Sequence, residues 1–201
     1  LGSRDTKRRL AGVENLAEML RNAPPPSDQW PQLVSPLLRT LRDNNFKVCR
    51  AALVCLESLV GHVDNGIVPF LSMIVPAVVE CLGNSKTAVQ EKGVDVLLAI
   101  SDPAVNGVED TLATLEQGHC FRHKSWRARE YLVKFIGRAT EVDEAGVYTR
   151  PALAVVLADA LNDSAAQVRQ EAMVATARIV ELVGAPLLVS TQAMKTREAD
   201  V

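Results

Sequence analysis

Apolar residues recur along this chain with the period of a helix, and each run starts directly behind a short polar turn. In Arg42-Asp43-Asn44-Asn45-Phe46-Lys47-Val48 the turn residues Asp43, Asn44 and Asn45 precede Val48, Leu53, Leu56 and Val60. Short polar side chains of this kind accept from the unpaired amides of a helix start. The device returns as Gly83-Asn84-Ser85-Lys86-Thr87-Ala88-Val89, with Val94 and Leu97 behind it. It returns again as His123-Lys124-Ser125-Trp126-Arg127-Ala128-Arg129, with Val133 and Ile136, and as Asn162-Asp163-Ser164-Ala165-Ala166-Gln167-Val168-Arg169, with Ala172, Met173 and Thr176. Anchored on Val48, Val89, Ala128 and Val168, the step is about 40 residues, within the range of two-helix HEAT or armadillo units. A weaker copy opens the chain: setting Lys7 against Lys47 puts Val13 on Leu53, Leu16 on Leu56 and Leu20 on Val60.

The pattern predicts helices over about 7–21, 30–41, 46–60, 66–82, 88–100, 108–118, 126–140, 147–161 and 167–183. No useful alternating run suggests a strand. Pro36 and Pro76 precede successive turns by nearly the same distance and are expected to bend their helices. The proline run after Ala23 and the pairs Ala145-Gly146 and Gly184-Ala185 interrupt the helices. The expected fold is all-α: an α-solenoid of antiparallel helix pairs filling residues 1–201 as one domain. The first unit is expected to be truncated, with only six residues ahead of Lys7, and the last incomplete, residues 187–201 beginning a further unit.

Composition agrees with close-packed helices. Apolar residues make up 48% and aromatics only 4%, so Leu, Val and Ala must fill the core. No apolar run reaches membrane-spanning length, and neither a membrane nor a nucleic acid is expected as partner. Four cysteines without paired spacing suggest buried thiols in a reducing compartment. Net charge is −2, yet the recurring turn segments 4–9, 42–47, 83–87, 119–127 and 162–169 carry +8 together, leaving −10 elsewhere. Equivalent turns of stacked hairpins fall on one edge. Lys7, Lys47, Lys86, Lys124 and Arg127 therefore form a row of cations, which suggests an acidic partner.

Candidate chemistry is sparse. His119, Cys120 and His123 lack the second ligand pair that structural zinc usually takes, and they read better as a polar turn. No phosphate loop, HExxH pattern or nucleophile with an oriented base occurs, so neither a cofactor nor an enzymatic activity is expected. Trp126 reads as a staple of its own turn onto the stack. Phe46, flanked by Asn44, Asn45 and Lys47, reads as exposed and available for contact.

The turns also carry a family resemblance. Asp5-Thr6-Lys7-Arg8-Arg9, Asp43 to Val48, Pro76 to Lys86 and His123 to Glu130 resemble the TOG domain, a flat paddle-like HEAT-repeat array, and most of all the N-terminal TOG domain of plant-type CLASP proteins. The resemblance implies a non-enzymatic, monomeric module that binds the tubulin heterodimer or the microtubule lattice. It implies residence on cytoplasmic microtubules, at plus ends, the cell cortex or the spindle, and a part in stabilising microtubules or promoting their regrowth. The implied contacts are Thr6 and Lys7; Asn45, Phe46 and Lys47; Asn84, Ser85 and Lys86; His123 and Lys124; and Gln167 with Arg169. Many members place a tryptophan in the first turn, where this chain has Thr6. The alternative is a HEAT scaffold or adaptor that binds another protein, along helical faces and without tubulin.

Overall fold

The computed structural model describes residues 2–22, 26, 29–61, 67–142 and 151–183. Among them are nine α-helices and no strand. The inner helices are α1 (Thr6–Asn22), α3 (Phe46–Gly61), α5 (Thr87–Ile100), α7 (Trp126–Ala139) and α9 (Ala166–Val183). Between them lie the outer helices α2 (Trp30–Thr40), α4 (Leu71–Leu82), α6 (Val108–Gln117) and α8 (Pro151–Leu161). The expected breaks at 145–146 and 184–186, the start of the eighth helix at 147–150, the further unit at 187–201 and most of the proline run lie outside the described residues.

One expected helix differs in form. Of the helix expected over 66–82, the described residues 67–82 do not make a single bent helix: Val68–Phe70 is a short 3-10 turn, and α4 starts only at Leu71. Pro69 supplies no amide to an α-helical ladder, so the tighter turn precedes the helix proper. Pro36 and Pro76 lie inside α2 and α4, which continue through them.

Each inner helix packs on the next, α1 on α3, α3 on α5, α5 on α7 and α7 on α9, so the five form one layer. Outer helices cover it: α2 lies on α3, α4 on α5 and α7, α6 on α4 and α5, and α8 on α9 and α7. The apolar period explains the layer, because Val13, Leu53 and Val133 fall at the same point of the first, second and fourth units and are all buried. Met173, at the same point of α9, is 58% exposed, and among the described residues no helix packs beyond α9. Small residues allow close approaches between inner helices. A β-carbon on Gly137 of α7 would sit 3.3 Å from that of Ala175 on α9. The Cys55 thiol of α3 reaches the Val13 carbonyl of α1 at 3.1 Å.

Arginines fix the turns to one another. Arg9 donates from Nε and Nη2 to the Asp43 carboxylate at 2.6 and 3.1 Å, and from Nη1 to the carbonyls of Ser3 and Arg4, both at 3.0 Å. Arg129 repeats the arrangement with Asp163 at 2.6 and 2.9 Å and with the carbonyls of His123 and Lys124. Each guanidinium thus holds its own turn and grips the next. These hydrogen bonds, with a further one from the amide of Asn45 or Ala165, hold the carboxyls of Asp43 and Asp163 below the ordinary aspartate range. At the intervening positions of the repeat stand Cys49 and Val89, so the middle of the row is packed rather than charged.

Two outcomes follow. Gly137→Val should lower stability by about 1–3 kcal/mol through overpacking against Ala175, read as a lower urea midpoint; an unchanged midpoint would mean that α7 and α9 do not meet there. Asp163→Asn should cost about 1–2 kcal/mol at neutral pH, allowing for partial exposure of the pair. Because the fold favours the ionised form, that contribution is complete above the unfolded value near about pH 4 and is lost as pH falls through the lowered folded value. Wild type and variant should therefore converge in acid, and an equal gap at every pH in urea melts would rule out the ionic staple.

Candidate protein-binding edge

The turns that open the inner helices are built by short acceptors. Asp5 Oδ1 accepts from the Lys7 amide at 2.9 Å, and Asn45 Oδ1 accepts from the Lys47 amide at the same distance. Asp43 and Asp163 cap the amides of Asn45 and Ala165, both at 2.8 Å. Asn84 Oδ1 accepts from the Lys86 amide at 3.0 Å, and His123 Nδ1 from the Ser125 amide at 3.1 Å. In each case the cap turns the chain sharply and leaves the following side chain at the start of a helix.

Successive turns touch. Arg9 joins the first to the second through Asp43. The Lys86 ammonium of the third lies 5.7 Å from the centre of the Phe46 ring in the second. A β-carbon on Gly83 in the third turn would sit 3.4 Å from the Ser125 side chain in the fourth, and His123 Nε2 lies 3.4 Å from a Glu80 carboxylate oxygen. Arg129 joins the fourth to the fifth through Asp163. The five turns therefore make one continuous edge.

Electrostatics along it run against helix preference. The positive end of a helix dipole favours acids in the first turn, by about 0.3–1 kcal/mol each. None of α1, α3, α5, α7 and α9 has one. Lys7, Lys47 and Arg127 are instead the second residues of α1, α3 and α7, and Lys86 stands just ahead of α5. By contrast α6, whose start lies at the opposite edge, carries Glu109 and Asp110 in its first turn.

The twelve residues implied by the resemblance divide into two groups. Lys7, Lys47, Ser85, Lys86, Lys124 and Gln167 are exposed on the edge. Asn45, Asn84 and His123 are occupied as caps, and Thr6 Oγ1 accepts from Arg9 Nη2 at 3.3 Å. Arg169 is turned inward, donating to the carbonyls of Asp163 and Ser164 at 2.7 and 3.0 Å. Phe46 is not the exposed ring the sequence suggested: it is half-buried against the core, because its position opening α3 tucks it under Lys86. Trp126 is also half-buried against the core, with the Arg127 guanidinium 4.6 Å from its ring.

Arg127 was absent from the implied contacts, yet it stands half-exposed in the same row of turns, stacked on Trp126. It stands at a constant 40-residue step in the series Lys7, Lys47, Thr87, Arg127 and Gln167, and that offset was the available signal.

Known proteins share this design. The family signature of the EF3 N-terminal HEAT repeat matches residues 9–176. A CLIP-associated protein of Arabidopsis thaliana is 31% identical over 85% of this chain, which spans 12% of that protein's length. The TOG array regulator of axonemal microtubules protein 1 of Mus musculus is 29% identical over 92% of the chain, which spans 10% of its length. A solved structure of crescerin, which uses a TOG domain array to regulate microtubules in the primary cilium, superposes with a TM-score of 0.72 at 25% identity, covering 92% of this chain and 83% of that one. With its five-turn edge, its all-helical layers and these relatives, the chain belongs to the HEAT-repeat family and is a TOG domain of the CLASP type.

Proposed function

We propose that this domain is a non-enzymatic module that binds the tubulin heterodimer or the microtubule lattice through its five-turn edge. The observation that carries this reading is the run of cations at the inner-helix starts, where helix preference alone would place acids. A local rule broken repeatedly along one edge is a mark of function. Lys7, Lys47, Lys86, Lys124 and Arg127 supply a positive row to an acidic, elongated partner, and caps and arginine staples hold the row rigid. The names of the relatives support the same partner, since they describe regulators of microtubules. The parent protein would act on cytoplasmic microtubules, at plus ends, the cell cortex or the spindle, stabilising them or promoting regrowth.

Across the inner layer several charges are paired with one another. Lys92 bridges Glu57 at 3.1 Å and Asp95 at 3.0 Å, Lys134 meets Glu91 at 2.6 Å, and Arg138 meets Asp95 at 3.2 Å. Side chains so paired have little to offer a charged peptide, which supports the edge over this part of the helical face as the binding surface.

Tubulin binding by the domain, measured by surface plasmon resonance at low and high salt, tests the proposal. The double variant Lys86→Ala with Lys124→Ala should bind about 3- to 30-fold more weakly, from about 0.3–1 kcal/mol per rim charge. Arg21→Ala, at the far end of α1, should bind like wild type. The loss should shrink as salt rises, since screening already weakens the wild type. A double variant with wild-type affinity at low salt overturns the site, and a wild-type domain that does not bind tubulin overturns the function.

A further inference from the structure

Cys49 occupies the place in the second unit that Arg9 and Arg129 hold in theirs, and its neighbour across the junction is another thiol. Cys49 lies in the first turn of α3 and Cys81 in the last turn of α4; their sulfurs are 3.7 Å apart. A disulfide needs a separation of about 2.05 Å, so closure asks for less than 2 Å of movement, within reach of side-chain rotation and small backbone shifts. The other two cysteines have no such neighbour. Cys55 faces the Val13 carbonyl, and burial pushes its thiol up to about 12; burial likewise raises Cys120 to about 11.

We propose that Cys49 and Cys81 form an oxidisable dithiol that closes to a disulfide and links the second unit covalently to the third. The inference stands apart from the tubulin reading. The reaction with hydrogen peroxide runs in two steps. Cys49, as thiolate, attacks one peroxide oxygen; the O–O bond breaks, and the departing hydroxide takes a proton to become water. Cys81 sulfur then attacks the resulting Cys49 sulfenic acid; the S–S bond forms, the S–O bond breaks, and the Cys81 proton leaves with the hydroxyl as a second water. The two sulfurs together lose two electrons, and peroxide gains them.

The surroundings assign these roles and place a cavity near the pair. Cys81 Sγ lies 3.4 Å from the Ala77 carbonyl and 3.7 Å from that of Leu41, both acceptors for its hydrogen. The two carbonyls favour the proton on Cys81, and contact with that thiol lowers Cys49 from its ordinary value, so Cys49 ionises first. A cavity of about 240 Å³ between α2 and α4, lined by Arg39, Arg42, Met73 and Ala77, opens beside Ala77. It is wide enough for a peroxide molecule, and Ala77, which lines it, has its carbonyl 3.4 Å from Cys81 Sγ. Closure would tie a point two residues after Lys47 to one three residues before Asn84, fixing the spacing of two turns on the edge.

The test is to treat the pure chain with hydrogen peroxide, block remaining thiols, and map peptides by mass spectrometry without reduction. The expected product is one peptide pair joining Cys49 to Cys81 with two hydrogens lost, reversed by dithiothreitol, with Cys55 and Cys120 still blocked as free thiols. Met73, 49% exposed, gains an oxygen in the same treatment and reports that peroxide reached the surface beside the cavity. Oxidised wild type should melt higher than reduced wild type, and Cys49→Ser, which retains Cys81, should show no shift. The proposal is overturned by a Met73 sulfoxide with all four thiols still free, by oxygen added to Cys49 without linkage, or by a linkage that includes Cys55 or Cys120.

Discussion

The inner helices must touch, and everything at the edge follows from that constraint. A two-helix unit of this size cannot bury its own apolar face, so each inner helix is covered by the next. Contact is close where side chains vanish, as at Gly137 beside Ala175, or where a small thiol reaches a neighbouring carbonyl, as at Cys55 and Val13. Once the helices are so placed, their starts lie side by side. The spacing of the turns is therefore a property of the core. A partner that reads the turns reads, in effect, the pitch of the inner layer.

Holding a turn in place is a separate problem from spacing it, and the chain solves it differently along its length. At the first and last junctions a guanidinium crosses to the next turn's aspartate while fastening its own turn through carbonyl oxygens. Between the second, third and fourth turns the linking groups are smaller or apolar: Cys49 against Cys81, Phe46 beneath Lys86, and Gly83 beside Ser125. Charged staples suit the ends of the row, where fewer neighbours exclude water. Buried packing suits the middle, where an ion pair would lose more in desolvation than it regained.

Most of the fold was legible because the repeat states it several times. The apolar period placed α1, α3, α5, α7 and α9 to within a residue at their starts. It missed the 3-10 turn at Val68–Phe70, since Pro69 changes hydrogen bonding without changing hydrophobicity. The edge was legible in part. Charge and register identified Lys7, Lys47, Lys86 and Lys124, but a sequence does not say whether an arginine points outward or into its own turn. Arg169 does the latter, and its equivalents Arg9 and Arg129 explain why, since all three hold carbonyls five and six residues back. Phe46 eluded the reading for a related reason: polar neighbours in sequence said nothing of the lysine that covers it from the next unit.

The series Arg9, Cys49, Val89, Arg129 and Arg169 shows how such a repeat separates scaffold from exposed edge. These residues share one position in the unit and all point inward, two residues beyond the series that begins with Lys7 and Lys47. On a helix, residues two apart face different sides. One position can thus be chosen for the junction, and its near neighbour for the outer edge, without either constraining the other. That independence allows a stack with a charged staple at each end and a thiol pair in the middle to present a nearly continuous line of cations outside.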